Sequence, residues 1–369
     1  MQPHASEPGV LASVMDDGAV EGGGVGALTV PDLLTWPDGT RVRDAVAWHG
    51  RGAAWRSLIV DRLYGGLPPA PECVRVVRRS VSSVRALAGA PSLEVHRVVA
   101  EGGEVPVRLS LRLLLPPTDG PVPVIVHGDG CWWPPSERTV RLLQDRGVAL
   151  ARFDRTEVAD DPAAAREPGP AASRSGPLYD AYPGATFGAL AAWAWAFQRA
   201  VDALAGMRAI DADRIAVTGF SRGAKAALLA AAVDERVAFA HDHASGAGGA
   251  ALSRVVGPGG ESLHAVVAAF PAWFGPAAPY LARDPDRLPF DQHALLASVA
   301  PRRLLLTYGA ADAWANPLGA RLAVEHAASV YRLLGAEAAL EFRTLAGGHE
   351  HGDDAWATLV EAFVGPVTA

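Results

Sequence analysis

The chain has 369 residues, half of them hydrophobic and a fifth charged, which fits a folded soluble protein able to bury a large core. Forty acidic residues against 33 basic ones give a net charge of −7, and the only adjacent basic pairs are Arg78-Arg79 and Arg302-Arg303. Neither a nucleic acid nor an anionic membrane is therefore expected as partner. Two cysteines, Cys73 and Cys131, are too few for a disulfide scaffold and lack the spacing of a zinc site. No metal or cofactor is expected.

Residues 1–30 read as a flexible tail, with Asp16, Asp17 and Gly22-Gly23-Gly24 but no basic or apolar segment of a signal peptide. That reading carries an expectation of a cytoplasmic location. Residues 31–369 are expected to form one domain. Apolar residues at helical spacing predict a helix over 48–64, stopped by Gly65-Gly66-Leu67-Pro68-Pro69. Residues 93–99 and 105–115 read as paired strands around Glu101-Gly102-Gly103. From there short apolar runs alternate with helical stretches. Strands are expected at 122–126, 148–153, 215–218, 237–240, 304–308 and 340–345, and helices at 187–204, 225–233, 318–334 and 355–363. The Pro- and Gly-rich stretch 160–177 reads as a surface loop. This alternation predicts an α/β fold: a doubly wound, mainly parallel sheet begun by an antiparallel hairpin.

Strand 215–218 runs into Gly219-Phe220-Ser221-Arg222-Gly223 and then into an Ala-rich helix. This is G-x-S-x-G in the strand–turn–helix setting of a nucleophile elbow. The flanking glycines leave room for the sharp turn, and the amide after the serine points at a developing oxyanion. A serine nucleophile needs a base, and the base an orienting acid. Asp312 follows the 304–308 strand, and His349 and His351 follow the 340–345 strand, in the order the fold requires. Spacing does not decide between the two histidines. Arg222 offers its amide and its guanidinium to the oxyanion. His127-Gly128-Asp129-Gly130 is a candidate source of a second amide. After it, Cys131, Trp132 and Trp133 fit a pocket lining as well as core.

Lys225 is the only lysine in the chain, so every other basic residue is arginine. A lone lysine points to a place that needs a compact ammonium on a flexible stem. It stands four residues after Ser221, on the same face of the helix and one turn along, which suggests a substrate-binding role.

Taken together these residues resemble carbohydrate esterase family 15, the glucuronoyl esterases, α/β-hydrolases that cleave esters between glucuronic acid on xylan and lignin alcohols. The family's G-C-S-R-x-G-K is similar to Gly219-Phe220-Ser221-Arg222-Gly223-Ala224-Lys225. The similarity extends through Ser245-Gly246-Ala247-Gly248-Gly249, Leu288-Pro289-Phe290-Asp291-Gln292-His293, Asp312-Ala313-Trp314-Ala315-Asn316-Pro317 and Gly348-His349-Glu350-His351. The resemblance implies Ser221 as nucleophile, Arg222 as oxyanion stabiliser, His351 as base, Lys225 on sugar hydroxyls and Trp314 packed against the uronate. Glu261 falls near the place where the family often has a sugar-binding Gln or Glu. The implied substrate is a small uronate or related carbohydrate ester.

Four positions depart from the family pattern. Phe220 and Gly352 replace its two cysteines, so a bracing disulfide is absent, and a large residue facing a small one is expected to fill the space. Ala224 replaces a glycine, and Ala244 replaces the acid of E-S-G-x-G-G. Asp312 takes the place of that acid, with Asp242 a weaker substitute. Two other readings stand beside this one: an esterase or acyltransferase acting on another small acyl ester, and an inactive homologue that only binds a uronate.

Overall fold

In a computed structural model of the chain, residues 29–87, 89–130, 134–161 and 174–366 are described. The expected tail, apart from its last two residues, lies outside them, as do Cys131, Trp132, Trp133 and most of the loop expected over 160–177. From Pro31 onward the chain is built on one nine-stranded sheet. Its strands are β1 (Cys73–Ser83), β2 (Ser92–Glu101), β3 (Val107–Leu115), β4 (Val122–His127), β5 (Ala149–Arg152), β6 (Ile210–Phe220), β7 (Phe239–His243), β8 (Arg303–Gly309) and β9 (Leu340–Leu345). The spatial order is β1-β2-β3-β5-β4-β6-β7-β8-β9. The first three strands and their junction with β5 are antiparallel, and β5 through β9 are parallel. This is the α/β-hydrolase arrangement.

The expected hairpin is present as β2 and β3, in register from Ser92 opposite Leu115 to Ala100 opposite Val107. β1 was not expected. It is an edge strand exposed along almost its whole length, so no alternation of buried and exposed residues marks it, and a bulge between Arg78 and Ser80 interrupts its register.

The longer helices are α1 (Ala45–Ile59), α2 (Glu137–Asp145), α3 (Ala189–Ala205), α4 (Arg222–Val233), α5 (Pro317–Leu333) and α6 (Asp353–Val364). α1 starts where Asp44 accepts the Ala47 N–H (2.8 Å), and its continuation ends at Gly65, held at φ 80° against Thr186 and Gly275. α2 was not expected; Ser136 caps it by accepting the Thr139 N–H at 3.1 Å. One face of the sheet buries Ile125, Leu150, Ala216, Phe239 and Leu305 against Leu143 of α2 and Trp356, Leu359 and Val360 of α6. Each large side chain buried there contributes about 1.5–3 kcal/mol. Strand alternation turns the neighbouring residues to the other face, where α3 and α4 pack. α3 buries Trp193, Trp195 and Phe197 and is apolar over most of its length, with Gln198 and Asp202 half-buried, which suits a helix packed on most sides.

Candidate active site

β6 delivers Ser221 to the carboxyl edge of the sheet and α4 leaves from it. Ser221 has φ 53° and ψ −119°, a conformation that costs a non-glycine residue about 1–3 kcal/mol. Its amide donates to the carbonyl of His243 (2.9 Å), which helps to hold the turn. The two glycines of the motif have different reasons. A Cβ on Gly219 would strike the backbone of Gly223, and a Cβ on Gly223 would enter the carboxylate of Asp129. Ser221 is thus lifted out of the chain by close backbone packing beneath it.

Asp312 follows β8 and His349 follows β9, as the chain order required. His349 Nδ1 lies 2.8 Å from Asp312 Oδ2, and His349 Nε2 lies 3.1 Å from Ser221 Oγ. With Nδ1–H donating to the carboxylate, Nε2 is left to accept the serine proton. Asp312 is fully buried, and its other oxygen accepts the Ala315 N–H at 3.1 Å. The geometry therefore sets Ser221, His349 and Asp312 in one hydrogen-bonded line.

His351, the base implied by the resemblance, is not in that line. It is almost completely buried, neither ring nitrogen has a hydrogen-bond partner among the described residues, and its ring stacks on Trp356 at 5.2 Å. Burial, then the neighbouring His243, His127 and His241, push its pKa well below the usual histidine range, so it stays neutral. A single residue, Glu350, separates the histidines, enough to send one to the serine and the other into the core.

Phe220 packs against both, 4.7 Å from the His349 ring and 5.7 Å from the His351 ring, and 5.4 Å from His243. The expectation that it faces Gly352 needs correction. A Cβ on Gly352 would meet nothing within 4 Å, so the aromatic ring fills space under the histidines instead. His243 was missed by the sequence reading. Its Nε2 donates to the Glu350 carbonyl (2.7 Å) and its Nδ1 lies 2.7 Å from Thr307 Oγ1, tying the end of β7 to the loop that carries His349.

Asp242 has no hydrogen bond to either histidine. One oxygen accepts the Ser245 N–H at 3.3 Å and the other has no partner among the described residues. Burial raises its pKa to about 6, opposed by the bonds from Ser245 and by the charge of Lys225. Ala244, where the family pattern has its acid, adopts φ 55° and donates its amide to the Thr307 carbonyl at 3.0 Å.

Lys225 is buried, and its Nζ donates to the carbonyls of Ser245 and Ala247 (the latter at 2.7 Å) and to Glu261 Oε1 at 2.9 Å. All three ammonium donors are engaged, so a sugar hydroxyl reaches Nζ only by displacing one of these acceptors. Glu261 Oε1 also accepts the Ala247 N–H (2.8 Å), and the Glu261 amide donates to the carbonyl of Trp314 (2.8 Å). The structure thus pairs Lys225 with Glu261 by their side chains and brings Trp314, which is half-buried, to Glu261 through the backbone. The other expected amide source gives a mixed result: the Gly130 N–H is already donated to the Phe153 carbonyl at 3.0 Å.

Beneath the elbow runs a chain of charges that the sequence reading missed. Asp129 pairs with Arg155, Arg155 with Asp161 at 2.7 Å, and Asp161 with Arg222 at 3.2 Å. Among the described residues no group of three or more His, Cys, Asp or Glu side chains is placed to hold a metal ion.

A sequence profile described as "Glucuronyl esterase, fungi" matches residues 98–335. A carbohydrate esterase, MZ0003, from an unknown prokaryotic organism is 41% identical over 149 residues, which is 40% of this chain and 34% of that protein. The 4-O-methyl-glucuronoyl methylesterase of Schizophyllum commune is 29% identical over 335 residues, covering 87% of this chain and 77% of that one. The chain therefore spans about a third of the first relative's length and about three quarters of the second's. Among solved structures, a glucuronoyl esterase from Caldicellulosiruptor kristjansonii superimposes with a TM-score of 0.76 at 29% identity, over 91% of this chain and 90% of that one. One from Teredinibacter turnerae gives 0.77 at 26% identity, over 91% and 88%. With the profile matched over more than half the chain, from the antiparallel extension to the end of α5, the protein belongs to the glucuronoyl esterases of carbohydrate esterase family 15.

Proposed function

We propose that the protein is a serine esterase that hydrolyses an ester of a uronic acid through an acyl-serine intermediate. The observation that carries this reading is the line Ser221–His349–Asp312, with His349 Nε2 3.1 Å from the serine oxygen. Ser221 Oγ attacks the ester carbonyl as its proton passes to His349, and Asp312 holds the ring and steadies the imidazolium. The oxyanion is met by the Arg222 amide, at the start of α4, and by the Arg222 guanidinium. The alcohol leaves with the proton from His349, and water then attacks the acyl-serine by the same route in reverse.

The neighbouring group of Lys225, Glu261 and Trp314 supports a sugar acid as the acyl part. A buried, paired ammonium and carboxylate offer fixed hydrogen-bonding geometry for ring hydroxyls, and a half-buried indole offers an apolar face. In this reading Lys225 acts on the sugar indirectly, by fixing Glu261 and the Ser245–Ala247 backbone. The test is hydrolysis of benzyl glucuronate beside benzyl galacturonate and p-nitrophenyl acetate, with Ser221→Ala as control. Preference for the glucuronate, lost in the control, is the expected result. Activity on the acetate alone would keep the serine chemistry and remove the uronate.

A further inference from the structure

Arg222 does not hold its guanidinium in place by itself. The side chain is about a third exposed, and a free arginine at such a site loses about 2 kcal/mol of rotamer entropy when fixed. Three groups fix it. Asp161 accepts from its Nη1 with both oxygens, at 3.2 and 3.3 Å. The rings of Trp273 and Phe270, stacked on each other, lie 4.7 and 5.2 Å from its central carbon. Trp273 in turn donates its Nε1–H to Asp161 at 3.2 Å.

Charge accounting gives Asp161 its purpose. Arg155 is buried and already paired with Asp129, so that pair is neutral without help. Asp161 is also buried, with its side chain 1% exposed, and it bonds Arg155 at 2.7 Å. An extra carboxylate buried beside a neutral pair would be costly unless a further cation balanced it, and among the described residues Arg222 is the further cation that it pairs with. Arg155 further lies over the Trp193 ring at 4.7 Å, so the platform under Asp161 is itself immobile. At its other end the ladder reaches the elbow directly, since Asp129 fills the space a side chain at residue 223 would need and lies 3.4 Å from the Phe220 amide.

We propose that Asp161 is a positioning residue for the ester hydrolysis: it aims the Arg222 guanidinium at the oxyanion formed on the substrate of Ser221, and the buried Asp129–Arg155 pair anchors it to the elbow. This rests on the serine esterase reading above. It predicts an effect confined to the transition state, because the oxyanion exists only there.

The experiment compares wild type, Asp161→Asn, Arg222→Ala and the double variant on benzyl glucuronate and p-nitrophenyl acetate, with thermal unfolding run in parallel. Inhibition by an alkyl phosphonate that mimics the tetrahedral intermediate is measured beside binding of glucuronate, the product. For Asp161→Asn, kcat is expected to fall about 10- to 100-fold with KM and glucuronate affinity within twofold. Phosphonate affinity should weaken by the same factor as kcat. In the Arg222→Ala background the same change should cost less than twofold, because the guanidinium it aims is gone. Equal losses in both backgrounds, or a loss in KM and glucuronate binding with kcat intact, would overturn the proposal. Should Asp161→Asn not fold, Trp273→Phe removes the Nε1–H bond but keeps an aromatic face; it is expected to show the same split, smaller, and a KM-only effect there would count against the proposal. Failure of the underlying reading looks different: wild type would then hydrolyse no uronate ester, whatever Asp161 does to the acetate rate.

Discussion

The choice of base is the point on which geometry and family pattern part, so the pair His349→Ala and His351→Leu tests the site most directly. His349→Ala removes the acceptor 3.1 Å from Ser221 Oγ. Loss of the base in a serine hydrolase costs roughly 10³- to 10⁶-fold in kcat, or about 4–8 kcal/mol of transition-state stabilisation. His351→Leu deletes two buried ring nitrogens that have no partner, so no hydrogen bond is lost. It forfeits the ring contacts with Trp356 and Phe220, worth about 0.5–1.5 kcal/mol each, and relieves an unsatisfied buried polar group worth about 1–3 kcal/mol. The two terms nearly cancel. The assay is kcat on benzyl glucuronate with stoichiometric fluorophosphonate labelling of Ser221 and a thermal midpoint for each variant. Expected are a His349→Ala protein that is folded and nearly inactive, and a His351→Leu protein within tenfold of wild type. A folded His351→Leu enzyme that loses 10³-fold while His349→Ala keeps most of its rate would refute the reasoning.

Asp312→Ala should lower kcat by about 10³- to 10⁴-fold, whereas Asp242→Asn should leave it within tenfold, since Asp242 bonds neither histidine; the reverse ranking in the same assay would move the acid. Asp242→Asn should also raise stability. A carboxyl whose folded pKa is raised from 3.8 to about 6 favours the folded state when protonated, and that advantage is lost as pH climbs from about 4 to 6. Chemical denaturation should then show the asparagine variant ahead by about 1–3 kcal/mol at pH 8 and equal at pH 3.5. The buried histidines act in the opposite direction. His127, held to about 3, and His241, His243 and His351, all lowered chiefly by burial, stay neutral in the fold but protonate in the unfolded chain below about 6.5. Each costs up to about 1.4 kcal/mol per pH unit below that point. The melting temperature should fall steeply from pH 6.5 to 4.5 and less steeply in His351→Leu; equal slopes would refute this. Lys225→Met leaves Glu261 buried without its cation and should cost about 3–5 kcal/mol, of which Lys225→Met with Glu261→Leu regains most in denaturant titrations.

Ser221, Asp312 and the pair of histidines were legible because each follows a strand whose apolar run is plain in the sequence, and the sheet edge does the rest. The base itself was not legible, because strand periodicity stops before it. What selects His349 is the turn in front of it: Gly347 sits at φ 95°, and the Gly347 and Gly348 carbonyls press on Gly309 at the end of β8, beside the loop that carries Asp312. No local pattern reports such a contact between residues so distant in the chain. β7 overlaps the strand expected at 237–240, but its C-terminal half was hidden for a related reason. Its run His241-Asp242-His243 reads as polar and exposed, yet the side chains are buried because Thr218 and Thr307 from the adjacent strands bond the rings. Polar residues inside a sheet look like a strand's end until their partners are placed.

The charge ladder under the elbow is the extreme case. Asp129 follows β4, Arg155 and Asp161 follow β5 and Arg222 opens α4, and apart from Arg222 each alone reads as a turn residue or a surface cation. In a chain where arginine supplies nearly every positive charge, composition gives no hint which guanidiniums are buried and paired. The glycine motif does carry the hint in retrospect. Gly223 is required because a carboxylate, not a backbone turn, occupies the space beside it, and a carboxylate at that depth needs a buried cation. Gly223→Ala therefore separates the two roles of the motif: it should destabilise the protein by several kcal/mol with Asp129 present. Combining it with Asp129→Gly would clear the clash but leave Arg155, among the described residues, with Asp161 alone as counter-ion, so that Asp161 can no longer serve Arg222 fully. Recovery of folding without recovery of kcat in that double variant would show that the elbow's glycine makes room for electrostatics as well as for the turn; recovery of both would leave the ladder a purely structural feature.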